Sequence, residues 1–184
     1  MKLLLFLCQL TCRRCKLNKG KIYIAYGSNL SLPQMAYRCP TAKVFGKSEL
    51  KDYELLFRGS KTGSYATIEP CEGKSVPVLL WTVCKKDELA LDRYEGYPTF
   101  YEKENMTVDV DGQAVDAFVY VMTEGHRLGM PSQRYVNTIA EGYETAGFDL
   151  SVLENAINET AQRMAEEPEP ELLNLLGFGE MKGW

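Results

Sequence analysis

The fold is decided by the stretch Lys21-Ile22-Tyr23-Ile24-Ala25-Tyr26-Gly27-Ser28-Asn29-Leu30. Its apolar, partly β-branched first half has the length of a buried strand, which stops at Gly27. A helix is predicted to begin near Ser31, with Ser31 as the candidate N-cap. The first amides of a helix have no intrahelical partner, so such a junction can bind negative charge. Gly27 permits a positive φ or close approach of another molecule, and Ser28 and Asn29 are helix-capping residue types. These residue types also cluster in ordinary turns, so a plain helix start is the other interpretation.

A second segment, Leu91-Asp92-Arg93-Tyr94-Glu95-Gly96-Tyr97-Pro98, lies in the middle of the chain. Together the two segments resemble the γ-glutamylcyclotransferase family, the AIG2-like fold, whose members carry a Tyr-Gly-Ser-Asn-Leu loop near the N-terminus and one Glu before a Gly in mid-chain. Residues 35–40, 65–70 and 131–142 agree with the same family. The resemblance extends over roughly residues 21–148.

The resemblance implies a cyclisation in which the free α-amine of a γ-glutamyl group attacks its own γ-carbonyl, giving 5-oxoproline and releasing an amine. Glu95 would act as base and then as acid, while loop amides bind the γ-glutamyl group and its oxyanion. The reaction is intramolecular and needs no metal or other cofactor. A binding module on the same fold that lacks catalysis is the alternative. The implied substrate-binding residues are Tyr26, Gly27, Ser28, Asn29, Leu30 and Tyr120.

Glu95 is predicted to lie in the last turn of a helix of about three turns, with Asp87 as its N-cap and Gly96 just beyond its end. A carboxylate there faces the negative end of the helix macrodipole, which costs about 0.3–1 kcal/mol relative to a cation and raises the carboxylate pKa. A raised pKa suits a group that takes up and later releases a proton. The competing interpretation is a solvated acidic stripe, because Glu88, Asp92 and Glu95 follow helical spacing.

The rest of the pattern predicts an α+β fold, a small curled mixed β-sheet or β-barrel flanked by helices. The pair Asp111-Gly112 between two alternating runs predicts a hairpin. Helices are expected at 131–145 and 148–164, where apolar residues follow helical spacing. Short strands are expected at 43–45, 53–58, 65–68 and 76–83, with turns at 59–63 and 72–74.

Length and composition favour one domain. The chain has 184 residues, enough for a sizeable core. We predict a domain over 21–165, an extension over 1–20, and an acidic proline-bearing linker with a short amphipathic tail over 166–184 that docks on the domain or mediates self-association. A net charge of −4 offers no basic surface, so no nucleic-acid partner is expected. The resemblance implies a small γ-glutamyl substrate as the partner.

The apolar run at the start, residues 3–8, has the beginnings of a secretory signal. The run ends at Gln9, basic residues follow at 13, 14 and 16, and the run is much shorter than the about 20 apolar residues of a membrane span. We therefore expect a cytoplasmic protein with no membrane partner, and export is the minority interpretation.

Six cysteines give little evidence for a metal site. Cys12 and Cys15 have the spacing of half a zinc site or a redox pair, but no second pair exists and the single histidine, His126, is distant in sequence. We expect no metal, with a zinc or redox protein as a third class of function. The remaining singly placed cysteines in the predicted domain are Cys39, Cys71 and Cys84, typical of thiols in a reducing compartment.

Overall fold

A computed structural model describes residues 20–60 and 63–166. Almost all of the predicted N-terminal extension, with Cys12 and Cys15, and almost all of the predicted C-terminal segment lie outside these ranges. The division of the chain into three segments therefore stays a prediction.

The described residues form a curled mixed β-sheet with helices around it, as the sequence predicts. The strands are β1 (Lys21–Ala25), β2 (Lys43–Ser60), β3 (Gly63–Val83), β4 (Tyr101–Val110), β5 (Gln113–Met122) and β6 (Arg127–Leu128), and the helices are α1 (Leu32–Arg38), α2 (Lys85–Glu95), α3 (Gln133–Ala146) and α4 (Leu150–Glu166). The strand order is β4-β5-β1-β3-β2-β6, and β1 pairs in parallel with β5 while its other neighbour, β3, is antiparallel.

The long hairpin of β2 and β3 corrects the prediction of several short strands. The expected turn at 72–74 lies within β3, opposite a break in register between Lys51 and Tyr53 of β2. Asp52 and Gly73 both have positive φ there, and the Gly73 amide donates to the Asp52 carboxylate at 2.9 Å. Charged residues beside a glycine therefore form an irregularity inside the hairpin, although the same residue types also end strands elsewhere.

The sheet curls because the first half of β2 bends back toward the far end of β4. Ser48 of β2 donates its hydroxyl to the Asp109 carbonyl of β4 at 2.5 Å, although the two strands are not neighbours in the sheet. The turn at Asp111 and Gly112 joins β4 to β5 with φ of 52° and 81°, which confirms the predicted hairpin. The result is a half-barrel.

Helix ends follow ordinary capping chemistry, with one correction. Ser31 caps α1 by accepting from the Gln34 amide, as predicted. The N-cap of α2 is Cys84 and not Asp87, because the chain enters the helix three residues earlier than predicted. Asp87 instead occupies the third helical position and accepts from the Cys84 amide at 3.3 Å.

Helix α3 packs directly on the turn that follows β1. A Cβ at Gly142 of α3 would lie 2.4 Å from the Leu30 Cβ and 3.0 Å from the Ser31 amide nitrogen, so only glycine allows this approach. Leu30 is fully buried beneath the helix. Within residues 20–60 and 63–166, none of the helices has both the length and the apolar character that crossing a membrane requires.

Candidate active site

One cavity of about 430 Å³ lies beside the turn between β1 and α1. Its size falls within the range of small-molecule sites. Loop residues, the end of α2, four strands and α3 all contribute to its wall. The lining residues are Tyr23, Tyr26, Gly27, Ser28, Asn29, Tyr65, Ala66, Tyr94, Glu95, Gly96, Phe100, Tyr101, Tyr120, His126 and Tyr135.

The loop at Gly27 turns the chain from β1 into a short 3₁₀ turn over Ser28–Leu30. The first hydrogen bond of this turn runs from the Leu30 amide to the Gly27 carbonyl, so the amides of Ser28 and Asn29 have no acceptor within the turn. Gly27 has a φ of −113°, and a Cβ there would lie 3.2 Å from the Tyr135 hydroxyl. Close packing, and not a positive φ, therefore favours glycine at this position.

Glu95 is the last residue of α2 and faces this loop across the cavity. Its Oε1 accepts a hydrogen bond from the Asn29 side-chain amide at 2.7 Å, and the same amide nitrogen donates to the Tyr23 hydroxyl at 2.8 Å. The acid and the loop therefore meet in one cavity.

The environment of Glu95 favours its protonated form. Burial raises the pKa of Glu95 from 4.5 to about 7, while the Arg38 charge and the Asn29 hydrogen bond act in the lowering direction. The direction agrees with the macrodipole argument from the sequence, but the largest cause is loss of solvation. A carboxyl group with this pKa is partly ionised at neutral pH and can exchange protons in both directions.

Arg38 at the end of α1 orders this side of the cavity. Its guanidinium donates to the Asn29 side-chain oxygen at 2.5 Å and to the Ser28 hydroxyl at 3.2 Å, and it stacks on the Tyr94 ring at 3.5 Å. Because Arg38 occupies the Asn29 oxygen, the Asn29 nitrogen is directed at Glu95. The sequence alone assigned no role to Arg38. The signal that could have found it is a basic residue at the end of the helix that directly follows the loop.

Tyr26 and Tyr120 line the cavity, yet their hydroxyl groups are engaged with the protein. Tyr26 donates to the Tyr120 carbonyl at 2.6 Å, and Tyr120 donates to the Asp92 carboxylate at 2.6 Å. Burial raises the pKa of both phenols, and negative charge at Glu95 and Asp92 raises it further. Both are therefore neutral donors that shape the wall.

The structure does not bring Leu30 to the cavity, although it was predicted to bind substrate with its neighbours. Its side chain is fully buried, and its Cβ lies next to Gly142 of α3. Side chains of successive turn residues face different directions, so one sequence motif serves both the cavity and the core. The other five predicted binding residues, Tyr26, Gly27, Ser28, Asn29 and Tyr120, all line the cavity.

The acidic positions of α2 do not form the solvated stripe that helical spacing also allowed. Glu88 is buried and pairs with Lys21 at 3.0 Å and Lys103 at 2.9 Å. Asp92 pairs with the same Lys103 at 2.6 Å. The helix therefore turns its acids toward the sheet and the cavity.

The described part of the chain contains no group of three or more His, Cys, Asp and Glu side chains placed to hold a metal ion. Cys39 is buried, Cys71 and Cys84 are partly exposed, and all three are free thiols. Cys12 and Cys15 lie outside the described residues.

Comparison with known proteins gives a consistent result. A family model described as gamma-glutamyl cyclotransferase, AIG2-like, matches residues 23–140, which include the loop, Glu95 and the start of α3. A Homo sapiens protein named gamma-glutamylcyclotransferase is 30% identical over 161 residues, covering 80% of this chain and 85% of that protein. Its Bos taurus namesake is 30% identical over 174 residues, covering 88% and 90%. A solved structure named gamma-glutamyl cyclotransferase matches with a TM-score of 0.68 at 29% identity, covering 74% of this chain and 86% of that one.

Proposed function

This chain belongs to the gamma-glutamyl cyclotransferase, AIG2-like family, and we propose that it is an enzyme that converts the γ-glutamyl group of a γ-glutamyl amine, dipeptide or related compound into 5-oxoproline and releases the amine. The observation that carries this proposal is the 2.7 Å hydrogen bond between Asn29 of the loop and Glu95, inside one cavity that raises the carboxyl pKa to about 7.

In the proposed reaction, the α-nitrogen bonds to the γ-carbonyl carbon and the bond from that carbon to the leaving nitrogen breaks. Two protons pass in all from the α-ammonium to the leaving nitrogen, so the products are the lactam and a protonated amine. Glu95 accepts a proton from the α-ammonium and returns one to the leaving nitrogen, ending in its starting state. Its pKa of about 7 makes both transfers feasible at neutral pH.

The loop contributes binding of the developing oxyanion. The amides of Ser28 and Asn29 precede the first hydrogen bond of the 3₁₀ turn, and both residues line the same cavity as Glu95. Donors held in place before reaction are worth about 10²–10³-fold each when aimed at a developing oxyanion. Holding the flexible glutamyl chain in its folded conformer supplies the remaining advantage, because attack is intramolecular.

The test is release of 5-oxoproline from a panel of γ-glutamyl dipeptides and γ-glutamylamines. We expect Glu95→Gln to lower kcat by about 10²–10⁴-fold with little change in substrate affinity, because glutamine keeps the shape and loses the exchangeable proton. Glu141→Gln on the exposed side of α3 is the matched control and is expected to retain parental activity. Equal turnover by Glu95→Gln and the parent contradicts the role of Glu95. Binding without release by the parent identifies a binding module instead.

A further inference from the structure

The cavity has a polar closed end and an aromatic mouth. At the closed end Tyr23 and Asn29 are 4% and 3% exposed and are hydrogen-bonded to each other beside Glu95. At the mouth Tyr65 is 37% exposed, and Phe100 and His126 are partly exposed. We call these three residues, Tyr65, Phe100 and His126, the aromatic rim.

The rings of the aromatic rim form a continuous row. Tyr65 meets Phe100 edge to face with centroids 6.0 Å apart, and Phe100 meets His126 in the same manner at 4.6 Å. The row extends to the loop, because Tyr65 also packs edge to face on Tyr135 at 5.3 Å and a Cβ at Gly27 would lie 3.2 Å from the Tyr135 hydroxyl. One wall of the cavity is therefore aromatic from the loop to the mouth.

The aromatic rim is held in place by the backbone around it. The Phe100 amide donates to the Gly96 carbonyl at 3.0 Å, which fixes Phe100 next to the end of α2 and Glu95. His126 Nε2 lies 3.3 Å from the Thr123 hydroxyl, and the His126 carbonyl accepts from Arg58 at 3.1 Å. A binding surface ordered before the ligand arrives loses little conformational entropy on binding.

The chemistry of the reaction places the leaving amine at this mouth. The γ-glutamyl head must present its ammonium to Glu95 and its carbonyl to the loop, so it occupies the closed end. The part that leaves then extends to the open end, against the aromatic rim. Among the described residues that line the cavity, Glu95 is the single acid and none is Lys or Arg, so the mouth offers ring surfaces and one imidazole instead of fixed charge.

We propose that the aromatic rim determines leaving-group specificity and selects γ-glutamyl compounds whose released amine carries an aromatic or large apolar side chain. This inference rests on the proposed function for its substrate class. It concerns the leaving amine, whose side chain the γ-glutamyl chemistry does not determine. Edge-to-face and offset contacts with two or three rings favour such a side chain over a hydrogen atom at the same position.

The test compares γ-glutamylphenylalanine with γ-glutamylglycine. Dissociation constants are measured by calorimetry on the Glu95→Gln protein, which holds either compound without consuming it. We expect γ-glutamylphenylalanine to bind about 3- to 10-fold more tightly, from the usual contribution of aromatic contacts. Phe100→Ala and His126→Ala, each added to Glu95→Gln, are expected to bring the ratio close to one. Tyr37→Ala removes a tyrosine that is 89% exposed on α1 and is the control that keeps the ratio.

Three outcomes overturn the inference: equal affinity for the two compounds, binding of neither, or a ratio that survives in both folded rim variants. Thermal unfolding of each variant shows which of them are folded, and two separate positions keep the test valid if one is not. Release of 5-oxoproline by the parent is scored separately. A parent that binds with the expected ratio and releases nothing refutes the proposed function while the rim preference stands.

Discussion

Replacing Glu95 by glutamine is expected to stabilise the protein at alkaline pH, because the cavity disfavours the charged carboxylate. Burial raises the pKa of Glu95 from 4.5 to about 7. For a carboxyl whose pKa is raised on folding, the contribution to stability is complete below pH 4.5 and is lost as the pH rises to about 7. Each pKa unit corresponds to about 1.4 kcal/mol, so the parent loses about 3 kcal/mol of unfolding free energy that Glu95→Gln keeps.

The assay is urea unfolding of the parent and Glu95→Gln at about pH 4.5 and about pH 8.5. Glutamine can still accept the hydrogen bond from Asn29 at both pH values. Any effect of the substitution that does not depend on pH is therefore the same in the two measurements and cancels in their difference. The difference in unfolding free energy between variant and parent should grow by about 3 kcal/mol toward pH 8.5. Glu141→Gln, whose side chain is exposed on α3, is expected to show no such growth. A Glu95→Gln protein that follows the parent at both pH values refutes the claim that the cavity desolvates this carboxyl.

Two further predictions concern the support of the site. Arg38→Met should move the acidic limb of the pH profile of kcat/KM to higher pH, because the Arg38 charge lowers the Glu95 pKa. Arg38→Lys keeps the charge and should move the limb less. An acidic limb at the parental pH in both variants would contradict this. Gly142→Ala should lower Tm and activity together, because the added Cβ would lie 2.4 Å from the Leu30 Cβ. Overpacking of this kind lowers the free energy of unfolding by about 1–3 kcal/mol. Thr145→Ala, exposed on the same helix, is the control, and an equal Tm for both variants would contradict the packing argument.

The sequence predicts the parts of the site that depend on local structure. The strand that ends at Gly27 and the helix that ends at Glu95 each follow from a short segment, and their residue types carry the chemistry. The same holds for the hairpin at Asp111 and Gly112 and for the Ser31 cap. In each case the signal lies within a few residues of the feature, so no knowledge of tertiary structure is needed.

The features that sequence reasoning missed depend on packing between distant segments. Tyr65, Phe100 and Tyr135 come from three separate parts of the chain, and only the curl of the sheet and the docking of α3 bring their rings together. The resemblance implies Leu30 as a binding residue because it belongs to the loop motif, but Leu30 is fully buried next to Gly142 of α3. The continuity of β2 through Asp52 was hidden because an irregular strand and a turn use the same residue types.

Two glutamates on α2 show how one helix can carry both a structural acid and a reactive one. Burial acts to raise the pKa of Glu88, but hydrogen bonds and charge from Lys103 and Lys21 outweigh it and lower the pKa to about 2. Glu95 is also desolvated, yet the cation that lowers its pKa, Arg38, is hydrogen-bonded to Asn29, which itself donates to Glu95.

The two acids therefore differ in how a cation is connected to them. Lys21 and Lys103 pair directly with Glu88, whereas Arg38 is connected to Glu95 through Asn29. A lysine bonded to Glu95 would stabilise the fold, but it would also hold the carboxylate in its charged form. The carboxylate could then not keep a proton for the leaving amine at neutral pH. An amide in that position orients the acid and leaves its proton exchangeable. The ion pairs earlier in α2 hold the helix against β1 and β4, so its last residue can remain a weakly compensated carboxyl facing the loop.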